Sequence, residues 1–434
     1  MTWIKNTLLM LLLGLLAFGS IQKRFGIIGS KSLNGVFPVT EIPVFSCSTW
    51  MAGAYQDQFR ASLEDSIGFK QDLVRLYNQV DYSFFSVPHA SKIVAGKNGY
   101  LFADMYINGY LGNDFVGKPF INDKIEALKF LQDYLWIDRG ILVLVVFTPA
   151  KGYYYPEYIP DRFLKKRNDL TNYGYYLQRC REAGINYIDF NQWFLDLKDT
   201  SQNMLYPKTG IHWSSYGAYL CGDSLRRYLE VRLNRELPHM ITDSIEIVKE
   251  ARDEDDDIAR TMNLIWEIPH PLMTYPKFHF TYDSVQAKPA ALFVGDSFYW
   301  QWYNNGVIEN TFRNKEFWYY NTDVYPDHFS ATKNVGQIDY VESILKQNVI
   351  ILLQANGGYG ELGYGWIDMA YHYFYPGKSR TKEIEQQMLT NPQWMEQIAA
   401  KAKERNFSTE HMMLVDAVYT MNQELRNQGL EQHK

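Results

Sequence analysis

Ala290-Ala291-Leu292-Phe293-Val294-Gly295-Asp296-Ser297-Phe298 joins an unbroken apolar run to a short polar turn. Five apolar residues without alternation suit a strand buried on both faces, as in the middle of a parallel sheet. Gly295 permits a tight turn at the carboxyl end of that strand. Ser297 then projects its hydroxyl from the turn, and a following helix aims backbone N–H groups at an oxyanion. Gly-Asp-Ser alone is a common tripeptide, and its place after a core strand is what gives it weight. The plain alternative is a turn in which Ser297 only caps a helix.

Working outward, residues 141–147 (ILVLVVF), stopped by Thr148-Pro149, and residues 349–353 (VIILL) repeat the buried-strand pattern. Shorter strands are predicted over 186–189 and 317–320, and helices over 123–137 and 173–183. Buried strands separated by helices imply an α/β fold with a doubly wound parallel sheet, whose ligands sit beyond the carboxyl ends of the strands. Before it, residues 54–80 read as two helices divided near Gly68, with Tyr55, Phe59, Leu63, Leu73, Leu76 and Val80 on apolar faces. Residues 97–102 carry the Asn98-Gly99 signal of a tight turn. The stretch 237–288 interrupts the rhythm with Asp253-Glu254-Asp255-Asp256-Asp257, which lacks the alternation and glycine of a calcium loop and reads as solvated. From Thr381 onward the chain is helical, with Asn391-Pro392 and Ser408 as caps. The expected organisation is 1–25 as a membrane anchor or signal peptide and 26–95 as a helical lead-in. Residues 96–360 form the α/β domain, with 237–288 as an insertion, and 361–434 a helical C-terminal tail.

Composition narrows the function. The 434 residues carry 43 basic and 49 acidic side chains, a net charge of −6, so no basic field is available to hold nucleic acid. Cys47, Cys180 and Cys221 cannot all pair and show no metal-ligand spacing, so neither a disulfide scaffold nor a metal or cofactor site is expected. Between Lys5 and Lys23 lie 17 uncharged residues. At about 25 Å they are marginal for a hydrocarbon core of roughly 30 Å, and they also suit the core of a signal peptide. Either way the remainder is exported to the cell envelope, with the uncleaved N-terminal anchor preferred.

A serine nucleophile needs a base, usually histidine. His212, in Ile211-His212-Trp213-Ser214-Ser215-Tyr216-Gly217, stands just before a predicted helix start, where Ser214 or Ser215 can cap, on a loop that follows a strand. That places it on the same sheet edge as Ser297; a packed loop histidine is the alternative. His270, His279, His328 and His372 read as structural. The last core strand ends in Gln354-Ala355-Asn356-Gly357-Gly358, where the Asn356 amide is a candidate oxyanion donor. Asp296 is expected to tie down the serine turn. Trp213 and Trp300 are candidate sugar-stacking residues, with Tyr216, Tyr299 and Trp302 nearby.

Taken in order, GKNGYLF (96–102), VVFTPAKGYYYPEYIP (145–160), HWSSYGA (212–218) and GDSF (295–298), after the N-terminal apolar helix, resemble the periplasmic alginate O-acetyltransferase family. That family carries an SGNH-hydrolase-like domain with permuted motifs. The resemblance implies Ser297 as nucleophile, His212 as base, and a multipass membrane-bound acyltransferase as the partner that delivers acyl groups. One departure stands out. The family pattern is Asp-x-His-Trp, and here the acidic position is Gly210. Loss of the orienting carboxylate from a serine-protease triad lowers kcat by about 10⁴. Another acid (Asp189, Asp283 or Asp323), a backbone carbonyl, or loss of catalysis are the open alternatives. The expected function is O-acetylation of an exported polysaccharide through an acyl-enzyme, with a carbohydrate esterase or a non-catalytic polysaccharide-binding protein as alternatives.

Overall fold

The computed structural model describes residues 2–35, 40–65, 67–165, 167–281, 288–325 and 333–431. It divides into two compact units, one of residues 1–95 with 256–269 and one of residues 96–255 with 270–434.

The first unit contains helices α1 (Thr2–Phe25), α2 (Ala54–Asp65) and α3 (Lys70–Phe85). Among the described residues no helix is long and apolar enough to cross a membrane, so the expected N-terminal anchor is not supported. In α1 the apolar run is bracketed by Lys5, Lys23 and Arg24 and diluted by Gly14, Gly19 and Gln22. Phe18 instead stacks on Phe69 at 5.0 Å within the same unit. Helix α3 also departs from its predicted face. Leu73, Leu76 and Val80 are exposed, whereas Arg75, Asn78 and Gln79 are buried. Arg75 donates to the carbonyls of Lys31 and Ser32 at 2.7 and 2.8 Å, and Asn78 donates to that of Met262 at 2.8 Å. Gln79 Oε1 accepts from the N–H groups of Ile265 and Trp266. Irregular chain beside the helix needs partners for its backbone, and long polar side chains supply them where leucine cannot.

The second unit holds β1 (Leu142–Phe147), β2 (Tyr187–Asp189), β3 (Met240–Val248), β4 (Met273–Phe280) and β5 (Ala290–Gly295). It continues with β6 (Asn314–Tyr319), β7 (Asp323–Tyr325), β8 (Lys333–Asn334) and β9 (Val349–Gln354). One sheet runs β8-β7-β6-β5-β9-β1-β2. Strands β6, β5, β9, β1 and β2 are parallel, as the apolar runs predict. Strands β7 and β8 add an antiparallel edge that those runs did not announce. Strands β3 and β4 form a separate antiparallel arm. All of β1, β5 and β9 is buried.

Helices α4 (Lys118–Arg139), α5 (Asn172–Ala183), α6 (Ser215–Leu233) and α7 (Trp366–Phe374) flank the sheet. On one face Val145, Leu292 and Leu352 pack with Leu131 of α4, Tyr176 of α5 and Trp366 of α7. On the other, Phe293 meets Tyr299 and Phe312, both at 5.1 Å. The tail forms α8 (Arg380–Leu389), α9 (Pro392–Arg405) and α10 (Thr409–Glu431). Asn391 caps α9 and Ser408 accepts from the N–H of His411, as read from the sequence. A small core of Ile384, Met388, Ile398, Ala402 and Met412 holds the tail together. Fully buried Lys124 of α4 fastens it to the sheet domain by donating to Asn422 Oδ1 at 2.7 Å and pairing with Asp368.

Candidate active site

The serine turn is built from its neighbours in sequence. Gly295 is required because a Cβ there would lie 2.4 Å from the carbonyl oxygen of Leu353 on the adjacent strand β9. One residue on, the buried Asp296 carboxylate accepts from the N–H of Phe298 at 3.1 Å and of Ala355 at 2.7 Å, and from the Tyr364 hydroxyl at 3.1 Å. Burial raises this carboxyl; those donors and the nearby His212 pull it back down. Asp296 therefore ties the turn, as expected. It also occupies the Phe298 N–H, one of the groups expected to face an oxyanion. Ser297 stays partly exposed at the carboxyl end of β5.

His212 is held from further away. Lys151, fully buried, donates its Nζ to the carbonyls of Lys208 at 2.8 Å and Gly210 at 2.7 Å. The Tyr206 hydroxyl donates to the carbonyl of Ile211. Ser214 caps α6 through the Gly217 N–H at 3.0 Å. The His212 ring packs edge-on to Phe298 at 4.9 Å. Its Nε2 lies 2.7 Å from Ser297 Oγ, so the two residues singled out in the sequence are hydrogen-bonded.

The family described as "SGNH hydrolase-like domain, acetyltransferase AlgX" has a model that matches residues 93–304. Those residues carry an alginate O-acetyltransferase-like SGNH domain. Among solved structures, the O-acetyltransferase domain of Pseudomonas putida AlgJ is similar over 65% of this chain and 99% of its own, with 15% identity and a TM-score of 0.43. Pseudomonas aeruginosa AlgX is similar over 66% and 71%, with 15% identity and a TM-score of 0.42. For Bacillus cereus PatB1 the values are 63%, 98%, 12% and 0.40. No curated protein matches the chain.

Gly210 of the SGNH domain has a steric reason. A Cβ at this position would lie 2.6 Å from the Glu254 carbonyl oxygen, 2.8 Å from that of Asp255 and 2.8 Å from Pro207. The acidic stretch predicted to be solvated thus packs against the histidine loop. Asp255 is fully buried and binds the N–H and hydroxyl of Ser215, at 3.2 and 3.3 Å, at the start of α6. Burial pushes its carboxyl up to about 7, against the Tyr275 hydroxyl and Ser215, which lower it.

The remaining sequence-predicted residues sort by burial. Trp213, expected at the substrate, is wholly buried between Trp302 at 4.9 Å and Phe298 at 5.2 Å, so it is a core residue. Tyr299 and Trp302 are likewise core. Trp300 is half-buried next to the turn, its N–H on the Ser297 carbonyl at 3.1 Å. Asn356 is buried beside Gly109, and neither polar atom of its side chain has a hydrogen-bond partner among the described residues. Asp189 caps the helix that follows β2 and accepts from Tyr173. Asp323 lies in β7. Asp283 and His328 lie outside the described residues. His270, His279 and His372 meet Thr209, Asp243 and Thr381.

Two tyrosines escaped sequence reading. Tyr364 reaches Asp296, and the Tyr320 N–H donates to the Gly295 carbonyl at 2.8 Å, while burial raises the Tyr320 phenol. No motif surrounds either; their signal is a left-handed backbone, which a sequence does not display.

Proposed function

We propose that this protein is an O-acyltransferase that acetylates an exported polysaccharide, with Ser297 as nucleophile and His212 as base. The observation that carries the reading is the 2.7 Å contact between His212 Nε2 and Ser297 Oγ at the carboxyl end of β5. A serine hydroxyl becomes an effective nucleophile when a positioned imidazole takes its proton as it attacks. Ser297 Oγ forms a bond to the donor's acyl carbon, and its proton passes to His212. The tetrahedral intermediate collapses with loss of the donor's leaving group, which takes the proton from His212. A sugar hydroxyl then attacks the acyl-enzyme and gives its proton to His212. The acetyl ester leaves with the sugar, and His212 returns the proton to Ser297. The amide of Asn356, unpartnered among the described residues, is assigned to the oxyanion, because such a buried donor is already desolvated for the charge it meets. Trp300, half-exposed beside the turn, is assigned to the sugar.

A membrane-bound acyltransferase is the proposed acyl donor, and the cell envelope, in the periplasm or outside the cell, the proposed location. The esterase reading uses the same steps with water in place of the sugar hydroxyl. The non-catalytic reading rests on Gly210.

A serine-reactive phosphonate or activated acyl ester is expected to label Ser297 and to leave Ser297→Ala unlabelled. Absence of labelling in folded protein would falsify the enzymatic reading. With an acetyl donor and an oligosaccharide, acetylated sugar is expected; acetate alone would establish hydrolysis instead.

A further inference from the structure

Between the strand edge and the helical tail lies a cavity of about 560 Å³, in the size range of about 300–1,000 Å³ typical of small-molecule sites. Its inner wall includes Tyr320, whose N–H meets the Gly295 carbonyl, and Tyr364, whose hydroxyl meets Asp296. Tyr320, Asn321 and Tyr364 have φ of 51°, 51° and 52°, and Asn321 Nδ2 donates to the Tyr364 carbonyl at 3.1 Å. Left-handed backbone at consecutive non-glycine residues is strained, and such strain collects at functional sites. The outer wall comes from α9 and α10, among them Arg405, Tyr419, Asn422, Gln423 and Arg426.

The lining chemistry indicates what fits. The Gln423 amide offers both a donor and an acceptor, which suits hydroxyl groups that are also both, while the Asn334 and Asn422 amides are spent on holding the wall together. Tyrosine rings present flat apolar faces to the C–H side of a sugar ring. Two arginines, Arg405 and Arg426, and two carboxylates, Asp323 and Glu361, line the cavity, and the Arg426 guanidinium is already engaged by the Gly360 carbonyl at 3.0 Å and the Phe120 ring. The balance favours an uncharged, hydroxyl-rich ligand over a phosphate or a polyanion.

We infer that this cavity seats a neutral sugar unit of the acceptor glycan, and that the helical tail exists in part to form its outer wall. That the sugar is an acceptor rests on the acyltransferase reading; that a sugar binds there does not. The test uses the full chain carrying Ser297→Ala, so that no turnover intervenes. A short neutral β-linked glucan oligosaccharide and an oligomannuronate are titrated by calorimetry. The neutral sugar is expected to bind more tightly. Adding Tyr419→Ala at the exposed rim, or Gln423→Ala, is expected to weaken it about tenfold, the effect of losing roughly one ring contact or a pair of hydrogen bonds. With Ser297 intact, the same two substitutions are expected to leave phosphonate labelling unchanged. Unchanged affinity in both variants, no binding at millimolar sugar, or preference for the uronate would overturn the assignment. If Ser297 resists the phosphonate while glucan still binds through Tyr419, the acyltransferase reading falls and the cavity assignment stands.

Discussion

The two halves of the proposed catalytic pair are held in opposite ways. The serine turn is fixed by its own motif: Gly295 allows the close approach to β9, and Asp296 grips Phe298 and Ala355. The histidine loop is fixed by Lys151, some sixty residues upstream, and by the Glu254–Asp255 backbone that fills the space beside Gly210. A short local motif suffices for a nucleophile that needs only a sharp turn at a strand end. A base that must reach across to that nucleophile needs support from several parts of the chain.

The most severe way to break this comparison is at the pair itself. Ser297→Ala and His212→Ala are each expected to lower turnover on the order of 10⁴-fold or more, with the double variant little worse than either. Additive losses in acyl transfer kinetics would mean the two do not act as a unit. Next, Lys151→Met leaves the buried Gly210 carbonyl without its Lys151 donor, at about 1–3 kcal/mol for the unmet group, and leaves the Lys208 carbonyl with the Leu101 N–H alone. Thermal unfolding should register this destabilisation, and Ser297 labelling should slow. A variant as stable as the parent would show that the loop holds itself.

Gly210→Asp restores the family's acid in sequence but not in space. Overpacking against Glu254 and Asp255 is expected to cost about 1–3 kcal/mol. No faster labelling should follow, and a gain in rate would show that the loop yields to admit a carboxylate. A pH-dependent effect concerns Asp255, raised from 3.8 to about 7. Its protonated form is favoured in the fold, so the associated stability is present below about pH 4 and is lost as pH rises through about 7. Asn does not titrate. The stability of the parent relative to Asp255→Asn should therefore decline across that window and be level outside it. A difference independent of pH would place the Asp255 carboxyl in contact with solvent.

The legible parts of the molecule were those written in short range. Residues 141–147, 290–294 and 349–353 announced β1, β5 and β9 because strands buried on both faces tolerate no polar residue. Ser297 and His212 were legible because each sits at an element boundary with its own turn or cap. Trp213 was misread because adjacency to a histidine says nothing about which way a ring faces in a loop, and here it faces the core. Lys151, Tyr320 and Tyr364 were missed because their importance lies in contacts made across the fold. Helix α3 misled for a related reason: its polar side chains serve backbone at residues 31–32 and 262–266, a demand that helical periodicity does not encode.

The position of β9 has a consequence for how the chain reaches its working form. Both Ser297 and His212 precede β9 in sequence, yet β9 is the strand between β5 and β1. Until residues 349–354 are in place, no hydrogen-bonded ladder joins the strand that ends at the serine turn to the strand that leads to Lys151. A chain that ends before that strand therefore lacks the ladder that joins the two halves of this sheet.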